Sequence, residues 1–356
     1  MTSALPHDAR VLVVRMGALG DIVHALPVLA AIRAHRPDVA VDWLVDARYA
    51  GVLRLVEGLS RLVIVRANDD GADDRAIRFR GTGGMLRALG FLRRQGYAAA
   101  IDLQGLIKSA LFARASGARR VLGFDRAALR EPLAASAYTE TVPVDDRGHV
   151  VHKNLAMLAP LDVPSLGLVF PWAPIDSRVV DAVAADPRVA AAGGFVLLNG
   201  GAAWENKRWP PERFGALAAA IAARHGLPSV VAWGPGEESR AAAVVAASQG
   251  QAFASPPTAL HDVLALARAA KLCVSGDTGP LHLAASVGTP LVALFGPTRP
   301  ERNGPFRVAD VSVSRATECV CFHKRQCLRG APCIDRIEVA EVLDACTRRL
   351  TTESAA

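Results

Sequence analysis

The sequence predicts an α/β protein built from two successive Rossmann-like domains, each with a parallel sheet, facing a cleft. Three observations carry this reading. Short β-branched runs alternate with longer helical patterns along most of the chain, which implies right-handed βαβ crossovers. The alternation stops once, over 163–174, where Pro164, Pro171 and Pro174 break it, and then restarts. Finally, 356 residues, 51% of them hydrophobic, suffice for two buried cores and exclude a disordered chain. The expected domains are 1–170 and 171–356.

In the first half, 11–15 reads as a buried strand and 21–35 as a helix ended by Arg36-Pro37. Strands follow at 41–45, 62–65 and 98–102, with a helix over 85–95. In the second half, strands are expected at 195–198, 229–233, 272–275 and 290–295. Helices are expected at 211–224, 237–249, 260–270 and finally 338–349. In doubly wound sheets, ligands bind at the carboxyl ends of strands, so the loops that follow the strands carry the chemistry.

No apolar run reaches the ~20 residues of a membrane-spanning helix. The first ten residues, with His7 and Asp8, do not read as a signal peptide, so a cytoplasmic protein is expected. The formal charge is +7 overall, but 48–130 alone holds sixteen Arg/Lys against seven Asp/Glu, a balance of +9. Such a stretch is either a solvated basic face or a surface for an anionic partner. Aromatic residues are only 5% of the chain and no nucleic-acid module is present, so nucleic acid is the weakest candidate.

Four loops stand out. Arg15-Met-Gly-Ala-Leu-Gly-Asp21 follows the first strand. Gly17 and Gly20 allow a tight turn and a close approach to the backbone. The loop has neither a Walker lysine nor the three-glycine dinucleotide spacing. Asp21 reads as a helix cap or as a carboxylate able to take a proton from a hydroxyl. Ser275-Gly-Asp-Thr-Gly-Pro-Leu-His282 puts small residues before a helix start, an anion-site pattern. There Asp277 could cap the helix or face a ligand. Thr278 adds a hydroxyl, and His282 lies one turn in. Asn199 to Trp209 follows a strand and carries Lys207 and Arg208, cations suited to a diphosphate leaving group. Trp233-Gly-Pro-Gly-Glu-Glu238 offers a carboxylate for a ribose or base. The second half would hold an activated donor, and the first would hold the acceptor and supply the base.

Several stretches resemble the bacterial heptosyltransferases of glycosyltransferase family 9, in order and along nearly the whole chain. They are Gly20-Asp21 with His24 and Pro27, Asp102-Leu-Gln-Gly-Leu-Ile-Lys-Ser109, Arg130-Glu-Pro-Leu-Ala134, Asn206-Lys-Arg-Trp-Pro210, Asp277-Thr-Gly-Pro-Leu-His282 and Phe295-Gly-Pro-Thr298. The second and third are most similar to members that add the first inner-core heptose of lipopolysaccharide. The resemblance implies a GT-B fold, the last helix packing back on the N-terminal domain, and an inverting transfer from ADP-heptose that needs no cofactor. It implies Asp21 as catalytic base. For the donor it implies Gly201, Ala202, Ala203, Lys207, Glu237 (or Glu238, the loop being one residue short), Asp277, Thr278, Gly279 and His282. For an anionic Kdo-bearing lipid acceptor it implies Gly17, Gly20, Lys108 and Arg130. The basic face suggests peripheral contact with the anionic cytoplasmic face of the inner membrane. The same chemistry on a second core heptose or a protein serine, or a nucleotide-sugar epimerase or hydrolase, are the alternatives. The sequence sets no oligomeric state.

Two features depart from the family pattern. Ala202 and Ala203 stand where close relatives carry hydroxyls, so backbone N–H groups must serve the phosphate. Cys319, Cys321, Cys327 and Cys333 lie within fifteen residues, with His323 among them. In a reducing compartment such a cluster reads as a structural Zn or Fe site, remote from the reaction, or as reduced thiols packed in a loop.

Overall fold

The computed structural model describes residues 4–66, 73–81, 83–321, 324–327 and 330–353. It divides into two compact units, Met1–Pro174 and Ile175–Ala356. The division falls four residues beyond the expected 170/171 because 171–173 stay tied to the first unit. Glu57 N–H donates to the Pro171 carbonyl and Ala173 N–H to that of Leu55, both at 2.9 Å, and Val56 bridges Trp172.

The first unit holds β1 (Arg10–Val14), β2 (Ala40–Asp46), β3 (Arg61–Val65), β4 (Ala76–Phe79), β5 (Ala99–Asp102), β6 (Arg120–Phe124) and β7 (Glu140–Val142). All pair in parallel, in the order β4-β3-β2-β1-β5-β6-β7. The order reverses between β1 and β5, and this switch point opens a crevice at the carboxyl ends of those two strands. The expected helix 21–35 is two helices, Leu19–Val23 and Leu26–His35. Pro27 has no N–H to give the Val23 carbonyl, so the first ladder cannot run on. β4 escaped the sequence reading because it is a four-residue, half-buried edge strand with no apolar run.

The second unit holds β8 (Val196–Asn199), β9 (Ser229–Ala232), β10 (Ala252–Ala254), β11 (Leu272–Gly276), β12 (Leu291–Phe295) and β13 (Val311–Ser314). They too are parallel, in the order β10-β9-β8-β11-β12-β13, with the switch between β8 and β11. Side chains alternate between two buried faces, as they must in a sheet covered on both sides. Val196, Leu198, Val274 and Leu294 share one core, and Leu197, Cys273, Leu291 and Ala293 share the other.

The last helix, Val339–Glu353, is seated in the core of the second unit. Val342, Ala345 and Cys346 lie one helical turn apart on a single face, and all three are buried in the core around Trp209, Phe214 and Leu294 of the second unit. Arg349 Nε then pairs with Asp310 Oδ1 at 2.8 Å, both side chains almost fully buried.

Candidate active site

In the first unit, the loops after β1 and β5 meet at the switch point. Asp21 is the third residue of helix Leu19–Val23, not its cap. Its Oδ2 accepts from the Ala18 N–H at 3.3 Å. Its Oδ1 is 2.8 Å from Arg15 Nη2, and the Asp21 side chain stays 31% exposed while that of Arg15 is 6% exposed. Arg15 also donates to the Leu103 carbonyl, and the Met16 N–H donates to Gln104 Oε1 at 2.7 Å. The carboxylate is therefore aimed by a buried arginine that the sequence reading did not single out. Gly17 is half-exposed, but a Cβ there would collide with the Tyr49 ring, so the close approach it permits is that of a tyrosine. Gly20 is buried inside the short helix.

Lys108 is the second residue of helix Ile107–Ala115. The Ile107 N–H at that helix's start donates to Glu131 Oε2 at 2.8 Å, which docks the Arg130–Ala134 stretch beside Lys108. Desolvation of the ammonium, then Arg66 and Arg48, hold Lys108 below the usual lysine range. Those two arginines flank the buried Asp46: Arg48 Nε is 3.0 Å from its Oδ1, and Arg66 pairs with its Oδ2. The result is a patch of three cations in which one carboxylate serves two arginines. Arg130 is exposed on the neighbouring stretch.

In the second unit, the loops after β8 and β11 are tied together by Asn199. Its Nδ2 donates to Ser275 Oγ at 3.0 Å and to Thr278 Oγ1 at 3.1 Å. Thr278 precedes helix Gly279–Ser286. The N–H groups of Gly279 and Leu281 in its first turn have no carbonyl one turn earlier and lie at the positive end of the helix dipole, which suits a phosphate.

Asp277 neither caps this helix nor faces outward. Its side chain is 4% exposed, with Oδ2 2.5 Å from Lys207 Nζ. Thr298 Oγ1 donates to the same oxygen at 2.6 Å, and His282 Nε2 lies 3.3 Å from Oδ1. Burial opposes ionisation, but His282 and Lys207 outweigh it and hold the carboxyl well below the usual range. Lys207, 4.6 Å from the Trp204 ring centroid, is thus a cation fixed near the start of helix Gly279–Ser286.

Glu237 lies against Gly201, where a Cβ would collide with its carboxylate, and its Oε2 accepts from the Gly234 N–H at 3.0 Å. Glu238 is exposed at the first turn of helix Glu238–Ala247. The geometry therefore favours Glu237 for the site. Arg208, Glu237 and Arg240 line a cavity of about 300 Å³. Ala202 is buried and Ala203 exposed. The Ala202 carbonyl accepts from Arg208 Nε at 2.7 Å, so neither alanine adds a polar side chain.

Sequence reasoning missed Arg15, Arg48, Arg66, Asn199 and Trp204 as site residues, and passed over Thr298 although it ends a matching stretch. Asn199 could have been found as a polar residue closing an apolar strand; the arginines carry no local signal.

The segment of the four clustered cysteines, where a metal site was expected, lies partly outside the described residues. Among the described residues, no three His, Cys, Asp or Glu side chains stand as a ligand group, and His323 lies outside those residues. The described thiols have close neighbours. The Cys321 and Cys327 sulfurs are 3.6 Å apart, Cys327 Sγ donates to the Ala331 carbonyl, and burial beside Cys319 pushes the Cys333 thiol up to about 12. Nor is the segment remote from the donor loop. Asn206 Nδ2 donates to the Lys324 carbonyl at 2.8 Å.

Two parallel doubly wound units with phosphate-suited loops at a switch point are the architecture of the GT-B fold. A profile of glycosyltransferase family 9 (heptosyltransferase) matches residues 85–331. Lipopolysaccharide heptosyltransferase 1 of Pseudomonas aeruginosa is 31% identical over 326 residues, 89% of this chain and 87% of that one. The chain belongs to glycosyltransferase family 9. The same fold is seen in the family 9 glycosyl transferase of Veillonella parvula (TM-score 0.76, 20% identity, 98% of this chain and 99% of that one). It is also seen in the E. coli heptosyltransferase WaaC with ADP (TM-score 0.71, 23% identity, 98% and 100%).

Proposed function

We propose that this glycosyltransferase moves a heptose from ADP-heptose to the Kdo-bearing inner core of lipopolysaccharide, with inversion at the anomeric carbon. The observation that carries the donor half is the fixed Lys207 ammonium, 2.5 Å from Asp277, near the start of helix Gly279–Ser286. A cation and a helix N-terminus together stabilise the charge that develops on a departing diphosphate. Glu237 takes the ribose hydroxyls. On the acceptor side, Asp21 removes the proton of the attacking hydroxyl, and Arg15 keeps its carboxylate oriented. The Arg48, Arg66 and Lys108 patch, with Arg130 nearby, receives the acceptor's carboxylates and phosphates. Relatives named lipopolysaccharide heptosyltransferase 1 support this acceptor.

This chemistry runs on side chains and backbone dipoles alone. No described helix is long and apolar enough to cross a membrane. We place the enzyme at the cytoplasmic face of the inner membrane, where the basic patch of the first unit meets anionic headgroups at ~1 kcal/mol per nearby cation.

The test is a turnover screen of ADP- and UDP-sugars against inner-core acceptors. ADP release from ADP-heptose that depends on a Kdo-bearing acceptor is expected. Consumption of the nucleotide-sugar without acceptor would instead make the chain an epimerase or hydrolase.

A further inference from the structure

We propose that Cys321 and Cys327 are a dithiol–disulfide modification site whose state is transmitted through Lys324 and Asn206 to Lys207. The proposal rests on the donor reading of Lys207. The two sulfurs stand 3.6 Å apart, and a disulfide needs them ~1.6 Å closer. Cys321 is buried and Cys327 half-exposed, so one thiol meets solvent and the other waits behind it. Of the other four cysteines, Cys319 and Cys333 lie beside each other in the same segment, and Cys273 and Cys346 are buried in the cores, where burial pushes each thiol up to about 12 and leaves it inert.

Closing this bond would make a ring that contains Lys324. Lys324 N–H already donates to the Cys321 carbonyl at 2.8 Å, and its own carbonyl accepts from Asn206 Nδ2 at 2.8 Å. Asn206 is buried and its backbone is wedged. A Cβ on Gly296 would lie 3.0 Å from the Asn206 carbonyl oxygen and 3.5 Å from Cys333 Sγ. The next residue is Lys207. A change in the ring therefore reaches the ammonium through one hydrogen bond and one peptide unit.

The chemistry balances with a low-molecular-weight disulfide such as oxidised glutathione. Cys327 thiolate attacks one of its sulfurs, forming a mixed disulfide and expelling one glutathione thiolate. Cys321 thiolate then attacks the Cys327 sulfur and expels the second. One S–S bond is broken and one is made, and the two protons pass to the two glutathiones.

The experiment equilibrates the full-length enzyme in glutathione buffers of graded redox poise. It follows the 321–327 cross-link by peptide mass mapping and the affinity for ADP and for adenosine by calorimetry. Expected is a reversible cross-link that weakens ADP binding at least threefold and leaves adenosine binding unchanged. Cys327→Ser should abolish the response, and Cys273→Ser should keep it. Asn206→Ala should still form the cross-link but uncouple it from ADP affinity, which separates a transmitted effect from general damage. No cross-link at any poise, a cross-link that leaves ADP affinity unchanged, or a stoichiometric Zn or Fe that blocks oxidation would each overturn the proposal. Lys207→Met is the separate control. If it leaves ADP affinity intact, the donor reading has failed, whatever the thiols do.

Discussion

Exchanging Lys207 for Met removes the ammonium 2.5 Å from Asp277 Oδ2, in a pair whose side chains are 14% and 4% exposed. Breaking a buried pair by deleting one partner costs ~3–5 kcal/mol when nothing else serves the survivor. A single hydrogen bond to a charged group is worth ~1.5–3 kcal/mol. Asp277 keeps Thr298 and His282, so the loss should fall where the two ranges meet, at about 3 kcal/mol. For a domain of roughly 150–250 residues that lowers Tm by roughly 6–12 °C. Because the Asp277 pKa is depressed, the pair's contribution is present above the unfolded carboxyl's pKa. It is lost only as pH falls through the lower folded value, so the drop should not vary across neutral pH. ADP affinity should fall by roughly 10- to 150-fold, the loss of one charge-assisted contact to phosphate. The double variant Lys207→Met/Asp277→Asn should recover most of the Tm, since no buried charge remains, but none of the ADP affinity. Differential scanning calorimetry and titration calorimetry read the two effects. Equal Tm for the single and double variants, or ADP affinity restored in the double, would refute the reasoning.

Asp21→Asn keeps a carbonyl oxygen for the Ala18 N–H and Arg15. Donor binding should therefore persist while turnover falls by roughly 10²–10⁴; near-normal turnover in an ADP-release assay would return Asp21 to a structural role. Lys108 has a lowered pKa, so its charge is lost as pH rises earlier than for an ordinary lysine. Acceptor KM should climb correspondingly early on the alkaline side, and Lys108→Arg should move that climb to higher pH. Glu237→Gln should weaken binding of ADP, and Glu238→Gln should not; the reverse pattern in calorimetry would exchange their roles. Truncating the chain before Val339 should expose the face that buries Val342, Ala345 and Cys346 and unfold the second unit, measurable by loss of its thermal transition.

Much of the fold was readable locally. The alternating runs gave every interior strand of the second sheet to within a residue or two. Pro164, Pro171 and Pro174 marked the boundary to within four residues. Small and charged residues after strands located the Asp21, Lys207, Glu237 and Asp277 loops, because a loop that must meet a phosphate needs glycine, hydroxyls and cations at adjacent positions. The reading missed the split at Pro27, the short edge strands β4, β7, β10 and β13, whose three or four residues leave almost no periodic signal, and the interior strand β6.

Local dihedral preference and the burial period are written residue by residue. The sequence alone therefore determined two doubly wound halves and the loops that close their strands. Which strand ends become neighbours is a sum over contacts between distant segments, and no window along the chain contains it. Only the folded arrangement sets Asn199 across β8 and β11, turns Asp277 inward onto Lys207, gives Asp21 its buried arginine, and seats the last helix on the second sheet. Each of those pairings depends on what lies opposite in space, and burial makes an unmatched alternative too costly to adopt.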